Sequence, residues 1–186
     1  MKRLFCMIVG LSALLFFLCS SYGKLSEEDK RWLMVPQDLP DSLFAGYLPQ
    51  KNNGGKLFFF KKTKTSLSGF SAVFEQKLAH AQKGTVSYTV QVSYARNETD
   101  ARALYGNYLT IEERLKNFVK KADPRKFAVD DVLLIQSDRI LYLTLRKNLI
   151  LYFVQIDNCA VDLETVKRVI LKKIDFIERH AALFRT

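Results

Sequence analysis

Apolar and polar positions alternate most cleanly between Thr85 and Ala95. Val86, Tyr88, Val90, Val92 and Tyr94 interleave there with Thr85, Ser87, Thr89, Gln91 and Ser93. Residues two apart share a face of an extended chain, so this stretch predicts a strand with one covered and one wet face, as in an antiparallel sheet. A second extended signal runs from Asp138 to Asp157. Two apolar, β-rich runs flank Lys147-Asn148 with no Gly or Pro between them, which predicts a hairpin closed by that pair, Asn supplying a positive φ. That register sets Arg146 opposite Leu149. One face then carries Leu141, Leu143, Leu145, Ile150, Tyr152 and Val154, and needs full cover. The other carries Ile140, Tyr142, Thr144, Leu149, Leu151 and Phe153, with Arg146 and Gln155 at its ends, and needs partial cover.

Elsewhere the period lengthens. Leu67, Phe70, Val73, Phe74, Leu78 and Ala81 predict a helix from Ser66 that stops at Gly84. Asn97-Glu98-Thr99-Asp100 caps a second helix with the stripe Ala101, Leu104, Tyr105, Tyr108 and Leu109, prolonged by a turn or two carrying Ile111, Leu115, Phe118 and Val119 and ended by Ala122-Asp123-Pro124. Asp162 opens a final helix to about Phe184, its stripe being Leu163, Val166, Ile170, Ile174, Ile177 and Ala181. At 1.5 Å per residue it would be about 34 Å long. Short strands at Lys56–Thr63 and Val132–Gln136 complete the order β-α-β-α-β-β-β-α. Consecutive strands rather than strict alternation point to an α+β domain over residues 56–186, a mostly antiparallel sheet with helices on one face.

Ahead of that domain, Ser26-Glu27-Glu28-Asp29 reads as a capping box opening a short helix through Leu33. Residues 35–56 hold Pro36, Pro40, Pro49 and Asn53-Gly54-Gly55, yet Leu39, Leu43, Phe44, Tyr47 and Leu48 are scattered along them. The 24–55 segment is therefore expected to lie against the domain rather than to dangle from it.

Residues 1–23 change the setting. Lys2 and Arg3 precede an uncharged apolar run from Leu4 to Cys19, and Ser21 and Gly23 supply the small residues of a secretory signal peptide. The same stretch, uncharged from residue 4 to 23, also has close to the length of an uncleaved membrane anchor. Lipidation at Cys19 is the third option, though Phe17-Leu18 replace the small residues a lipoprotein signal needs. The expectation is an exported chain, periplasmic or secreted, cleaved after Gly23. Residues 1–23 carry two basic residues and no acid, so cleavage leaves 27 Lys+Arg of 29 against 19 Asp+Glu, or +8. Only Cys159 would survive, so the core has to hold by burial alone, and the thiol is either buried or an intermolecular linker.

Candidate chemistry is sparse. His80 and His180 have no Cys, His or carboxylate at ligand spacing. Pairing Cys159 with a histidine lacks any surrounding nucleophile motif. Gly54-Gly55 precedes neither Lys-Ser/Thr nor a helix, so it is no phosphate loop. Asp130, Asp131 and Asp138 bracket a strand and read as caps and solvated charge, with calcium binding the weaker alternative. Asn97-Glu98-Thr99 matches a glycosylation sequon but doubles as a helix cap. No cofactor, metal or catalytic residue is expected.

The basic excess is the one feature that points to a partner. Lys61, Lys62 and Lys64 cluster on the first strand, Lys120, Lys121, Arg125 and Lys126 after the second helix, and Lys172 and Lys173 on the last. Nucleic acid is disfavoured in an exported chain without an aromatic-plus-basic motif. An anionic membrane, a cell-wall surface or an acidic protein suits such charge better. Solvated faces are the plainer explanation, because Glu112, Glu113, Asp123 and Asp175 are interleaved.

The alternating strand VSYTVQVSYA, then Thr99-Asp100-Ala101 with Leu104-Tyr105, the turn Val129-Asp130-Asp131, the Arg146-Lys147-Asn148 hairpin and the closing helix from Asp162-Leu163 form a sequence of features. Together with Leu39-Pro40 and Gly46, it resembles uncharacterised exported or lipid-anchored bacterial α+β proteins that are loosely similar to the PsbP/Mog1 fold, over about residues 36–180. One departure is Asp130, where that pattern carries Gly. The resemblance implies no function and no site residues; the export signal, the basic excess and the sparse chemistry together lead to the expectation of a non-enzymatic, envelope-associated binding or accessory module. A membrane-anchored structural domain is the second reading and an enzyme the third.

Overall fold

The computed structural model describes residues 21–22, 25–114, 119–120 and 122–185. The signal segment expected over 1–23 lies outside them except for Ser21–Tyr22 (β1). Then come a one-turn helix α1 (Asp29–Trp32), β2 (Leu48–Gln50), β3 (Phe59–Thr63), β4 (Ser68–His80) and β5 (Gly84–Ala95). The rest is α2 (Glu98–Arg114), β6 (Val119–Lys120), β7 (Asp131–Gln136), β8 (Ile140–Lys147), β9 (Ile150–Asp157) and α3 (Leu163–Arg179). All described strands join one sheet in the order β1-β3-β4-β5-β9-β8-β7-β6, with β2 beside the far end of β4, and every pairing is antiparallel. The fold is thus α+β around an antiparallel sheet.

Three expectations are corrected. The segment read as a helix from Ser66 is the long strand β4, paired with β5 from Ser68↔Ala95 to His80↔Gly84. Phe70, Phe74 and Leu78 are four apart, and residues four apart share a face in a helix and in a strand alike. Ala72, fully buried between Phe70 and Phe74, shows which period wins. The element order therefore differs from the predicted one, and it differs again at Val119, expected in the prolonged second helix but placed in the short strand β6 beside β7.

The second correction is the hairpin turn. It is Asn148-Leu149, with Lys147 opposite Ile150 and Arg146 opposite Leu151. Asn148 takes φ 53° as the first central residue. The turn moves by one residue and the pairing by two, so parity survives and both faces keep the expected members.

Third, helices cover both faces. The face of Leu141, Leu143, Leu145, Ile150, Tyr152 and Val154 is joined in one core to Tyr88, Val90 and Val92 and roofed by Val166, Ile170, Ile174 and Ile177 of α3. The opposite face packs under α2, where Ala101 is fully buried and Tyr108 lies 5.1 Å, ring to ring, from Phe153. Leu151, Phe153, Leu133 and Ile135 are buried there, and that much apolar surface needs a second lid.

Residues 25–39 form a strap across the first face. Its capping box closes as the sequence predicts: Asp29 N–H donates to Ser26 Oγ at 3.1 Å, and Ser26 N–H to Asp29 Oδ2 at 3.1 Å. Pro36 then stops the helix, and Trp32, Leu33, Met34 and Val35 run buried through the same core as the sheet. Extended backbone in a core needs partners for its N–H and C=O groups. Two tyrosines of the sheet supply them: Met34 N–H donates to the Tyr152 hydroxyl at 2.6 Å, and the Tyr88 hydroxyl donates to the Met34 carbonyl at 3.1 Å. Further along, Leu39 is buried and Leu43, Phe44 and Tyr47 pack on the core, so the connector lies on the domain.

Candidate functional site

The nine basic residues singled out in the sequence do not converge. β3 and β6 are separated by six inter-strand steps, about 29 Å at 4.8 Å per step, so the lysines of these strands form no single patch. Lys61 is buried, whereas Lys64 is exposed. Lys62 is committed to the fold: its ammonium is 2.6 Å from the buried Asp29 carboxylate and sits over the Trp32 and Phe60 rings. Arg125 pairs with Asp123 at 3.2 Å, and Lys126 is exposed beside it. Lys120 forms part of β6, while Lys121 lies outside the described residues.

Lys172 and Lys173 are different. Along α3, residues 169, 172, 173, 176 and 179 follow the i, i+3, i+4, i+7 spacing of one helix face, beside the stripe that roofs the sheet. That face looks across a groove of about 390 Å³ at Arg31 and Asp38 of the strap. Four cations and one carboxylate line the groove, over a floor that includes Val169 and Phe176. Lys173 is nearly buried, 3.0 Å from Asp38, and it also donates to the Lys30 carbonyl. The single carboxylate is therefore already engaged. Arg31 spreads over the Phe176 ring at 5.0 Å, a cation–π contact. Arg179 Nε donates to the Asp175 carbonyl at 3.1 Å. Among the described residues, Arg31, Lys172 and Arg179 form no ion pair. The nearest acids of α3, Asp175 and Glu178, are held at 3.2 and 2.7 Å by Lys147 of the hairpin tip.

Sequence reasoning named Lys172 and Lys173 of this groove, read Arg179 as the ion-pair partner of Asp175, a pairing that does not form among the described residues, and missed Arg31 and Asp38. Their positions depend on the strap lying against α3. The available signal was weak: an apolar Trp32-Leu33-Met34-Val35 run too short for a strand of its own and too greasy for a surface helix.

The other candidates resolve into structure. Asp130 and Asp131 converge on Arg146, which is only 7% exposed: its Nε donates to Asp131, Nη1 donates to Glu98 Oε1 at 2.9 Å, and Asp130 Oδ2 is 3.5 Å away. Burial pushes the guanidinium pKa down, but the Asp131 hydrogen bond and the three carboxylate charges more than reverse it, and the net shift is upward. His80 lies on β4, its Nδ1 accepting from the Gln82 and Lys83 amides. His180 ends α3, with Nδ1 2.8 Å from the Phe176 carbonyl and its ring stacked on Phe176. Cys159 is half-buried, and burial raises its thiol pKa. Asn97 is exposed and its Oδ1 caps α2 by accepting from Asp100 N–H.

Among the described residues, no three His, Cys, Asp or Glu side chains gather as metal ligands, and no helix is long and apolar enough to cross a membrane. Comparison with protein-family models, curated proteins and solved structures finds no match.

Proposed function

We propose that the protein is an exported, non-enzymatic binding or accessory module of a cell envelope, attached to an anionic surface through the groove between its strap and α3. The observation that carries this reading is the charge count of that groove, four cations to one carboxylate, with Lys173 already occupying the carboxylate. A groove so unbalanced has spare positive potential for lipid headgroups, cell-wall polymer or an acidic protein.

Anionic vesicles and cell-wall sacculi should retain the full chain at low salt and release it as ionic strength rises, since screening shortens to about 10 Å at 0.1 M. Retention that ignores salt, or none, would reduce the groove to ordinary solvated surface.

A second reading, a structural domain tethered by uncleaved residues 4–23, draws on the pairing of Ser21–Tyr22 with Lys61–Lys62. Cleavage after Gly23 would remove that short strand. Fractionation and N-terminal sequencing separate the two: a soluble mature chain starting at Lys24 excludes the tether.

A further inference from the structure

The groove's two walls come from opposite ends of the chain. Arg31 stands on the strap, Lys172 and Arg179 on α3. Near the groove one ion pair crosses the seam, Lys173 to Asp38, and Arg31 crosses it by covering Phe176. The remaining charge there is like against like. An anion held by cations of both walls would turn that repulsion into a bridge, and a many-oxygen tetrahedral anion fits the donors best. Two guanidinium forks match phosphate oxygens bidentately, and an ammonium adds a point charge. A volume of about 390 Å³ suits a headgroup-sized ligand.

We infer that the groove takes a phosphate-bearing group, and that occupancy and docking of the strap against α3 are one linked equilibrium. This rests on reading the groove as the anionic site and narrows it to a ligand chemistry and a consequence. A ligand that binds only the docked state lowers the population of the undocked one by the factor 1 + [L]/Kd. The Met34 amide, bonded to Tyr152 under the strap, reports that population by hydrogen exchange.

The test follows Met34 exchange in the full chain, with inorganic phosphate, glycerol phosphate, phosphatidylglycerol vesicles or phosphatidylcholine vesicles, and with chloride at matched ionic strength. At ten times Kd, exchange should slow about elevenfold, and Arg31→Ala or Lys172→Ala should each abolish the slowing while Lys126→Ala keeps it. Slowing by the soluble phosphates alone assigns a soluble ligand; slowing also by phosphatidylglycerol, but not phosphatidylcholine, assigns a lipid headgroup. No slowing, slowing equalled by chloride, or slowing that survives Arg31→Ala overturns the inference. Vesicle retention with unchanged Met34 exchange overturns it while leaving surface attachment intact. Slowed exchange without vesicle or sacculus retention does the reverse.

Discussion

The Tyr152 hydroxyl accepts a hydrogen bond from Met34 N–H at 2.6 Å and donates one to the Trp32 carbonyl at 3.2 Å. One side chain of the sheet thus satisfies two backbone groups of the strap, both in the core. Tyr152→Phe leaves both unsatisfied, at about 1–3 kcal/mol each. The expected loss is about 3 kcal/mol, seen as a lower urea midpoint at unchanged slope. Tyr88→Phe frees only the Met34 carbonyl and should cost about half as much. No loss from Tyr152→Phe would show that the strap does not depend on these bonds.

Arg146 stands among Asp131, Glu98 and Asp130 with its side chain almost wholly buried. Arg146→Met should destabilise by about 2–3 kcal/mol, below the 3–5 kcal/mol of a fully buried pair because Glu98 and Asp130 reach water. Arg146→Lys keeps the charge, loses the fork, and should fall between the two. Chemical denaturation ranks the three proteins. A Met variant as stable as the wild type would mean that the three carboxylates tolerate one another unaided.

Asp157 carries the opposite sign. Its Oδ1 is buried without a hydrogen-bond partner, while Oδ2 accepts from Gln155 at 2.5 Å. Burial raises its pKa above the ordinary 3.8, partly offset by the Gln155 and Tyr142 hydrogen bonds. The folded state therefore holds this proton more tightly than the unfolded chain does. The stabilising contribution of the protonated form is full below 3.8 and is lost as pH rises through the folded pKa. Asp157→Asn should accordingly melt higher than the wild type at pH 7, the gap narrowing toward pH 4. A gap constant across that range would assign the effect to packing instead of charge.

The lysines should separate into two classes. Lys62 and Lys173 hold Asp29 and Asp38 of the strap, so Lys62→Ala and Lys173→Ala should lower the melting temperature. Lys172 is exposed and makes no ion pair among the described residues, so Lys172→Ala should melt within about 0.5 kcal/mol of the wild type. It should nonetheless elute from anionic vesicles at lower salt. If all three lose stability equally, the distinction between strap clamps and groove cations fails.

What the chain disclosed in advance follows from which periods are unambiguous. Val86 to Tyr94 has polar residues at every alternate position, and it is the strand the sequence locates best. The α3 stripe Val166, Ile170, Ile174 and Ile177 has no strand-like competitor and is buried throughout. β4 failed because its four-residue spacing fits both periods and Gln76, facing the core side, broke the alternation that would have decided between them. Long-range placement was beyond reach altogether. Nothing local in Arg31 or Asp38 indicates that residues 140 positions later will stand opposite. The tyrosine clamp is equally silent, since Tyr88 and Tyr152 read as plain inward-facing aromatics until the buried strap backbone explains their hydroxyls.

The strap also fixes an order of events. Met34 leaves the ribosome 118 residues before the hydroxyl that receives its amide. Until β9 is paired and α3 has formed, Trp32 to Val35 travel as bare apolar chain. Contacts this distant in sequence close late and slowly. Refolding should therefore finish with the strap closing onto β9 and α3, and a helper that shelters greasy nascent segments would have its natural target in Trp32 to Val35.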